Sequence, residues 1–573
     1  MTAASFAPAG VRRLWAGLGA SPAQLGLALA LAAFLVAFLV VPVSHVVFVA
    51  FWDGDAFTLV HFADFFRTTL FRESFYNSFY VAAMSVAVAS AIAVPLAYFV
   101  TRFEFRGAAL IHTLGVIPLV MPPFVGAVAM QLVYGRNGSV NLLLNEYLGF
   151  RLPLMEGLNG VIFVEALHYF PFILLNLSAA LANIDSAMEE SAQNLGAIGW
   201  TLFRKIVFPL ALPGYVAGAS LVFVKVVDDL ATPLLLNVTN MLAPQAYLRI
   251  TSVGLGDPVG YVISVIMVAF SLFAMGLSAM SLRGRDYATQ QRGGGGLQRR
   301  RMRPLEAIGA YAFVALALAV ALSPHLGILL LSFGTIWSFS VLPDAFTLAH
   351  YATIFSDSSG FLANTLLYCG LAGLIDVTLG TAIAYLILRT RLPGRRLLDQ
   401  ITAASLAVPG LVLGIGILRT YFEVKLPISG ESLATFWGML VIVYAVRRLP
   451  YALRACEAAL RQIHVSLEEA AESLGAGKLT SVRRIVLPLM TGGLAAGFVT
   501  SFATAAVELS ATLLLVTRDV NAPLSYGIYV FMQTPAGRGP GAALGVIAVV
   551  VVALGTWLAH RAVERDRVRR SRM

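Results

Sequence analysis

The stretch from Leu25 to Phe51 reads LGLALALAAFLVAFLVVPVSHVVFVAF and contains no Asp, Glu, Lys or Arg. A helix needs about 20 apolar residues to cross the hydrocarbon core of a bilayer, so this stretch is long enough to span a membrane. Arg12 and Arg13 precede it, as basic residues precede a signal sequence, but no clear small-residue cleavage site follows. We therefore expect a retained membrane helix.

Eleven further apolar stretches follow, separated by charged or Gly/Pro-rich breaks. They predict helices at 75–101, 108–134, 157–183, 211–237, 258–282, 306–333, 361–388, 397–420, 434–460, 490–516 and 541–560. The chain of 573 residues is 58% hydrophobic and 12% charged, about half the charge of a soluble protein, and its mean hydropathy is +0.81. This composition excludes a water-soluble enzyme and predicts an all-α polytopic membrane protein with about 12 transmembrane helices.

The formal net charge of +10 could suggest a nucleic-acid partner. Lys and Arg lie in short segments between the apolar stretches, however, so the basicity reports membrane topology and we expect no nucleic acid. The positive-inside rule then predicts that both termini are cytoplasmic. Residues 283–304 combine arginines with the tract Gly293–Gly296, which predicts a flexible cytoplasmic linker between modules at 1–282 and 305–573.

The two modules repeat each other. Residues 189–214 align without gaps to residues 468–493 and are identical at half of the positions. Because each predicted module has six spans, both modules enter and leave on the same side of the membrane. The sequence therefore predicts two parallel six-helix modules related by a pseudo-twofold axis along the membrane normal.

A segment between the fourth and fifth predicted helices of each module is neither a short loop nor a span. We name these segments knob 1 (residues 186–209) and knob 2 (residues 466–488). Each opens with Ser-x-x-Glu, at Ser186 and Ser466, a pattern that predicts a capping box at the start of a helix.

Each knob also carries signals for a turn and a stop. Gly196 and Gly475 come about two helical turns after the start, and they predict left-handed C-caps that reverse the chain. A second short helix is expected to begin at Thr201 or Thr480. It should end before the next proline, because proline lacks the N–H that continues a helix.

The knobs resemble the coupling loop of permeases in binding-protein-dependent ATP-binding-cassette importers, whose signature is a Glu-Ala-Ala run, a later Gly and then Ile-x-x-Pro. The matching positions are Glu190-Ser191-Ala192, Gly196 and Ile206 to Pro209, then Glu469-Ala470-Ala471, Gly475 and Ile485 to Pro488. Only Ser191 departs, by a small-for-small change. The resemblance covers the whole chain. The fusion of two six-helix modules in this chain is similar to a subgroup of permeases that imports ferric iron, with relatives for 2-aminoethylphosphonate. Residues 508–515 are similar to a run in that subgroup.

The resemblance implies a bacterial inner-membrane permease with two ATP-binding subunits at its cytoplasmic face and a periplasmic solute-binding protein opposite. The implied coupling residues are Glu189, Glu190, Ala192, Gly196, Arg204, Pro209, Glu468, Glu469, Ala471, Gly475, Arg483 and Pro488. We expect ATP to be bound by the partner subunits, because the nearest P-loop match, Gly475 to Leu479, lacks the spaced first Gly and the final hydroxyl. No catalytic residue, cofactor or metal site is expected in this chain.

Ionisable groups inside predicted spans are costly and point to function by default. The candidates are Lys225, Asp228, Asp229, Asp376, Arg447, Arg448 and Glu508. The ungapped alignment places Asp229 opposite Glu508, and by resemblance both would border the translocation path. The alternative is that each carboxylate forms a structural pair with a neighbouring helix. Pro122 and Pro409 are expected to kink the third helix of each module and expose a carbonyl near the path.

Two other classes of protein stay open at this stage. An ion-gradient transporter of the six-plus-six type would share the parallel repeat but would not need paired knobs. A membrane-embedded enzyme or sensor would carry intramembrane His or acidic clusters or an added soluble domain. For the importer, ferric iron is the first expectation for substrate, and 2-aminoethylphosphonate or another small anion is the alternative.

Overall fold

The computed structural model describes residues 21–282 and 300–571. Helices and turns account for these residues, and no β-strand forms among them, as expected for an all-α membrane protein. Residues 283–299, the greater part of the predicted linker, lie outside the described residues.

The main helices follow the predicted apolar stretches. In chain order they are α1 Pro22–Ala50, α2 Thr69–Arg102, α3 Ala108–Val120 with Pro123–Leu148, α4 Gly157–Ala182, α5 Gly199–Asp228, α6 Pro258–Ser281, α7 Pro304–Phe333, α8 Ser359–Arg389, α9 Gly410–Tyr421, α10 Trp437–Arg461, α11 Lys478–Ala506 and α12 Arg538–Gly555. Nine of them, found among the described residues, are long and apolar enough to cross a membrane. The polytopic fold is thus confirmed.

Three predicted spans, α3, α9 and α10, differ from a simple apolar helix. The halves of α3 are bent by 102°, because Pro122 has an extended ψ of 140° and begins a new helix. Pro409 begins α9 in the same way with ψ 146°, which leaves a shorter apolar helix behind a separate amphipathic helix, Arg395–Ala404. The 25-residue helix α10 is long enough but carries several charges.

The described residues group by contact into two compact units. Unit I contains Asp53–Ser356 and Ile528–Val546, and unit II contains the chain up to Trp52, Asp357–Gly527 and the chain from Ile547. The predicted modules are units of sequence repeat, and their boundaries remain a prediction. Contact grouping differs from them in one respect: α1 lies in unit II and α7 lies in unit I.

Specific contacts hold α1 in unit II. Leu31 and Leu35 of α1 belong to a buried apolar core with Leu386 of α8 and Leu453 of α10. The Tyr421 hydroxyl at the end of α9 donates to the Ala37 carbonyl at 2.8 Å. This directional bond to a backbone oxygen of α1 adds to the apolar packing and fixes where α1 lies along α9.

Candidate functional site

The first arm of each knob is a short helix, but neither arm begins with the predicted capping box. Helix Ser186–Asn194 is capped by the Asp185 carboxylate, which accepts from the Ala187 N–H at 3.0 Å. Helix Ser466–Ser473 has no side-chain cap. The capping-box prediction was therefore wrong, because each serine is the first helical residue. Glu189, the acid of the predicted box in knob 1, and Glu468, its equivalent in knob 2, have other partners.

Those partners are arginines at the ends of α2 and α8. Arg102 forms an ion pair with Glu189 at 2.5 Å, and the Arg389 Nε donates to Glu468 at 2.7 Å. Arg389 also donates to the carbonyls of residues 460 and 463. Burial raises the pKa of Glu189, and Arg102 opposes this shift. Each pair fastens the first arm of a knob to a long helix of the same unit, and we call these two pairs the braces.

Both first arms end in the same turn, as predicted. Gly196 and Gly475 have φ of +88° and +86°, in the left-handed region that favours glycine. The Gly196 N–H donates to the Gln193 carbonyl at 2.8 Å, and the next N–H reaches the Ala192 carbonyl at 2.9 Å. Knob 2 repeats both bonds. This pattern is the Schellman motif, and it assigns the alanines of the signature, Ala192 and Ala471, to the position that accepts the returning N–H.

The second arms do not stop at the prolines, which corrects the prediction from sequence. Helical turns Gly199–Leu202 and Lys478–Ser481 lead into π-helical turns at Phe203–Val207 and Val482–Val486. Each π turn shifts the backbone bonding to i→i−5, so that the proline falls in the first turn of the next α-helix, where its missing N–H is harmless. Each second arm is therefore continuous with a spanning helix, α5 or α11.

The tips of the knobs expose apolar side chains. Leu195 is 89% exposed and Leu474 is 90% exposed, and Ile198, Trp200 and Leu479 are also largely exposed. Of the predicted coupling residues, the exposed ones are Glu190, Gly196, Arg204, Glu469, Gly475, Arg483 and Pro488, whereas Ala192 and Glu468 are buried and Glu189, Pro209 and Ala471 are half-buried. Exposed leucines beside charged residues are typical of a protein-binding surface.

Glu508 lies just beyond the end of α11 in unit II, where it is buried and has several partners. The Arg447 guanidinium donates to Oε1 at 2.8 Å, and the Ala511 N–H reaches the same oxygen at 3.2 Å. The Thr512 hydroxyl lies 3.1 Å from Oε2 and 2.7 Å from the Tyr444 hydroxyl. This arrangement favours the structural-pair alternative for Glu508.

Asp229, the equivalent of Glu508 in unit I, is in a different environment. It is the C-cap residue of α5, and its Oδ1 accepts from the Ala231 N–H at 3.1 Å. It faces Glu165 of α4, a fully buried residue that also faces the Thr232 hydroxyl. Sequence reasoning missed Glu165. The signal was present, since Glu165 is an ionisable residue within the apolar stretch 157–183.

Other predicted polar positions are buried in separate places. Asp376 is fully buried and faces Ser501 and Arg448. The kink prediction required free carbonyls at Pro122 and Pro409, but these carbonyls are not free. They accept from the N–H groups of Val125 at 3.1 Å and Leu413 at 3.0 Å. An N-cap carbonyl accepts the first helical bond, which explains the difference.

A polar cavity lies at the other end of α4 from knob 1. It has a volume of about 460 Å³ and is lined by Arg136, Glu156, Trp337, Phe339 and Arg538, among others. Glu156 immediately precedes α4, and knob 1 begins just after the other end of α4. The helix has 26 residues, so the cavity and knob 1 are separated by its length of about 39 Å. Phe339 is 77% exposed and has φ +56°, an uncommon conformation for a bulky residue. Among the described residues no group of three or more His, Cys, Asp or Glu is arranged to hold a metal ion.

Comparison with known proteins places these features in context. The family described as "Binding-protein-dependent transport system inner membrane component" matches residues 89–285 and again residues 376–568. The chain is 27% identical to the ferric transport system permease protein FbpB of Actinobacillus pleuropneumoniae, over 92% of this chain and 76% of that protein. It is 29% identical to a Haemophilus influenzae relative also named for ferric transport, FbpB 1, over 86% of this chain and 77% of the relative. The molybdenum permease ModB of Escherichia coli is 32% identical over 34% of this chain and 90% of its own length.

Proposed function

Because the chain belongs to the family of binding-protein-dependent transport system inner membrane components, we propose that it moves ferric iron from a periplasmic binding protein into the cytoplasm. It is a multi-pass inner-membrane permease of an ATP-binding-cassette importer and not a catalytic enzyme. The proposal for iron rests on the ferric transport permeases that match this chain over most of its length.

Each knob is proposed to bind one of two ATP-binding subunits, which hold and hydrolyse the ATP. The single observation that carries this proposal is the twofold occurrence of a Schellman-terminated helix with an exposed leucine at its tip. Glu190, Arg204, Glu469 and Arg483 are exposed and available to the partner. Glu189 and Glu468 act through the braces instead, so they position the knob and do not contact the ATPase.

The continuous helices give the coupling a mechanical path. The α5 helix has 30 residues from knob 1 to its end, which is about 45 Å. Since no break separates the knob from the span, displacement of the knob by a closing ATPase dimer tilts the whole helix. Alternating access would follow from this movement in both units.

The knob side is proposed to be cytoplasmic, with both termini on that side. The cavity near Arg136 and Arg538 would then face the periplasm. Its two guanidinium groups and the exposed Phe339 are suited to an acidic and apolar surface, so we assign it to the docking of the solute-binding protein. Asp229 remains our candidate for the translocation path, together with the helix breaks at Pro122 and Pro409. For Glu508 we favour the structural pair over the path.

Reconstitution tests the proposed function. The purified chain in liposomes should accumulate no solute under a proton or sodium gradient, and uptake of ⁵⁵Fe(III) should require ATP, the ATPase subunit and the binding protein together. A second candidate is a small oxyanion, because molybdenum permeases match part of the chain. Uptake of molybdate or 2-aminoethylphosphonate in place of iron would replace the substrate, whereas gradient-driven uptake by the chain alone would contradict the importer.

A paired substitution tests the knobs directly. Leu195→Asp combined with Leu474→Asp puts charge into the proposed apolar contacts, and retention of the ATPase subunit on the purified permease should fall about tenfold or more. Ile428→Asp is the matched control, because Ile428 is a fully exposed apolar residue in a loop outside the knobs. Unchanged retention in the double variant would contradict the coupling assignment.

A further inference from the structure

The end of α5 brings together three oxygen-bearing side chains in unit I, and two of them are fully buried. Glu165 and Thr232 are each 0% exposed. Asp229 caps α5 between them in sequence and is half-buried. The side chains beside the Glu165 carboxyl include the carboxyl of Asp229 and the hydroxyl of Thr232, but neither forms a well-aligned hydrogen bond with it. The three side chains therefore form one small polar cluster where α4 packs beside the end of α5.

This cluster is incomplete as it stands. Glu165 Oε1 and Oε2, Asp229 Oδ2 and Thr232 Oγ1 are all buried and have no hydrogen-bond partner among the described residues. Buried polar atoms normally have a partner, because water is lost without compensation otherwise. The hydroxyl of Thr232 is a second observation, independent of the two acids, that a ligand is missing from this place.

We propose that Glu165 and Asp229 form a proton-binding site that holds one proton between the two carboxyl groups. Two adjacent carboxylates do not both stay ionised where one of them is fully buried, because the buried charge loses its hydration and the two charges repel each other. One proton removes a charge and supplies an O–H that bridges to the second carboxyl. No oxidation or bond cleavage is involved: one carboxylate binds one proton to become a carboxylic acid. The set of two carboxyl groups and one hydroxyl suits a proton better than a metal, since no third His, Cys, Asp or Glu completes a site among the described residues.

The equivalent positions of unit II show how the same place is satisfied without a proton. The ungapped alignment places Tyr444 at the position of Glu165 and Arg447 at the position of His168. Tyr444 bonds to Thr512, and Arg447 neutralises Glu508. Unit II thus supplies a cation and a hydroxyl from its own helix, whereas unit I supplies a second acid.

The position of the pair links the proton to movement. Asp229 ends the helix that begins at knob 1, whereas Glu165 lies on α4, so a tilt of α5 changes the separation of the two carboxyl groups. The described arrangement requires the proton, and separation of the acids in water would release it. Other titratable groups nearby are His168 on α4, His325 on α7, and Lys225 and Asp228 on α5; Lys225 and Asp228 have interactions of their own. This linkage to transport rests on the proposed function, but the proton site does not.

Infrared spectroscopy of the full chain in lipid membranes tests the site itself. At neutral pH, the wild-type spectrum should contain the carbonyl stretch of a protonated carboxylic acid, and Glu165→Gln should remove one equivalent of it. Asp229→Asn should shift that band, because the partner of the acid changes from carboxyl to amide. The control Glu423→Gln changes an exposed acid and should leave the band intact. Asp376 is unchanged in all of these variants, so it produces no difference between their spectra. A Glu165→Gln spectrum identical to wild type would overturn the proposal, and so would an unshifted band in Asp229→Asn.

The pH dependence of ATP-driven uptake tests the linkage. Since deprotonation disfavours the described arrangement, wild-type uptake should fall at alkaline pH, by up to about tenfold per pH unit for a one-proton step. Glu165→Gln mimics the protonated acid and should flatten this decline, with Glu423→Gln following wild type. Identical profiles in wild type and Glu165→Gln would overturn the linkage while the infrared result stands. Absence of any ATP-driven uptake in the wild type would instead contradict the proposed function.

Discussion

The two knobs are nearly copies of each other, whereas the two ends of the helices that leave them are not. Both knobs have a left-handed glycine, a Schellman turn, a π turn before the proline and an arginine brace. At the far ends, Asp229 faces a second acid and Glu508 faces an arginine. The difference teaches that a fused chain can keep two nearly identical knobs while giving the two positions at the far ends of their helices different chemistry.

The largest expected difference concerns the buried acids. Glu508→Gln leaves Arg447 buried without its carboxylate, and the loss of one partner from a buried ion pair destabilises by about 3–5 kcal/mol. Asp229→Asn changes a half-buried carboxylate whose Oδ2 has no hydrogen-bond partner among the described residues, so its effect should stay within about 1 kcal/mol. Apparent melting temperatures of the purified chain in detergent measure both. Equal melting of the two variants would show that the interiors do not differ as described.

The braces differ more mildly. Arg389 binds Glu468 and two carbonyls, whereas Arg102 pairs with Glu189, whose side chain is 16% exposed. Arg389→Ala should cost about 3 kcal/mol, and Arg102→Ala should cost less, because water can solvate Glu189. Arg301→Ala is the matched control, since the Arg301 pair with Glu104 is exposed and should contribute at most about 1 kcal/mol. A larger loss of melting temperature in Arg102→Ala than in Arg389→Ala would reverse the comparison.

Much of the knob was predictable because its signals are local. The left-handed glycines follow from the need for positive φ at a helix end, and residues 196 and 475 have it. The braces were not predictable, because Glu189 and Arg102 are far apart in sequence and only packing brings them together. The π turns were not predicted for another reason. A proline normally indicates the end of a helix, and the side chains of Phe203–Val207 do not predict the i→i−5 bonds that accommodate it.

The interior site shows the opposite balance. The acid at residue 165 was readable in the sequence as a charge inside an apolar stretch, but its pairing with Asp229 depends on how α4 packs beside the end of α5. The position of α1 in unit II is also a long-range property. Since α1 is apolar on all sides, its sequence predicts burial or lipid contact and does not select a neighbour.

The glycine turns provide a smaller and sharper test of the equivalence of the knobs. Gly196→Ala and Gly475→Ala place a Cβ at positive φ, which costs about 1–2 kcal/mol, although the added atom meets nothing within 4 Å at either glycine. Gly477→Ala is the control within knob 2, because Gly477 has φ −69° and equally open space. ATP-driven uptake should fall in the first two variants and stay unchanged in the control. Uptake that falls in only one of the two glycine variants would break the equivalence of the knobs.

The smallest expected effect is a pH dependence of stability that arises from Glu189 in the brace of unit I. Burial raises the pKa of Glu189 above its usual value of 4.5, so the folded chain binds this proton more tightly than the unfolded chain does. The stability from the protonated form is present at low pH and declines as the pH rises above 4.5 through the raised value. Glu189→Gln cannot lose a proton, so its melting temperature relative to wild type should rise across that window. Since Glu189 is only half-buried, we expect a difference of less than about 1 kcal/mol. Melting curves of the two chains at a series of pH values measure the effect, and parallel profiles would mean that burial does not raise the pKa of the Glu189 carboxyl.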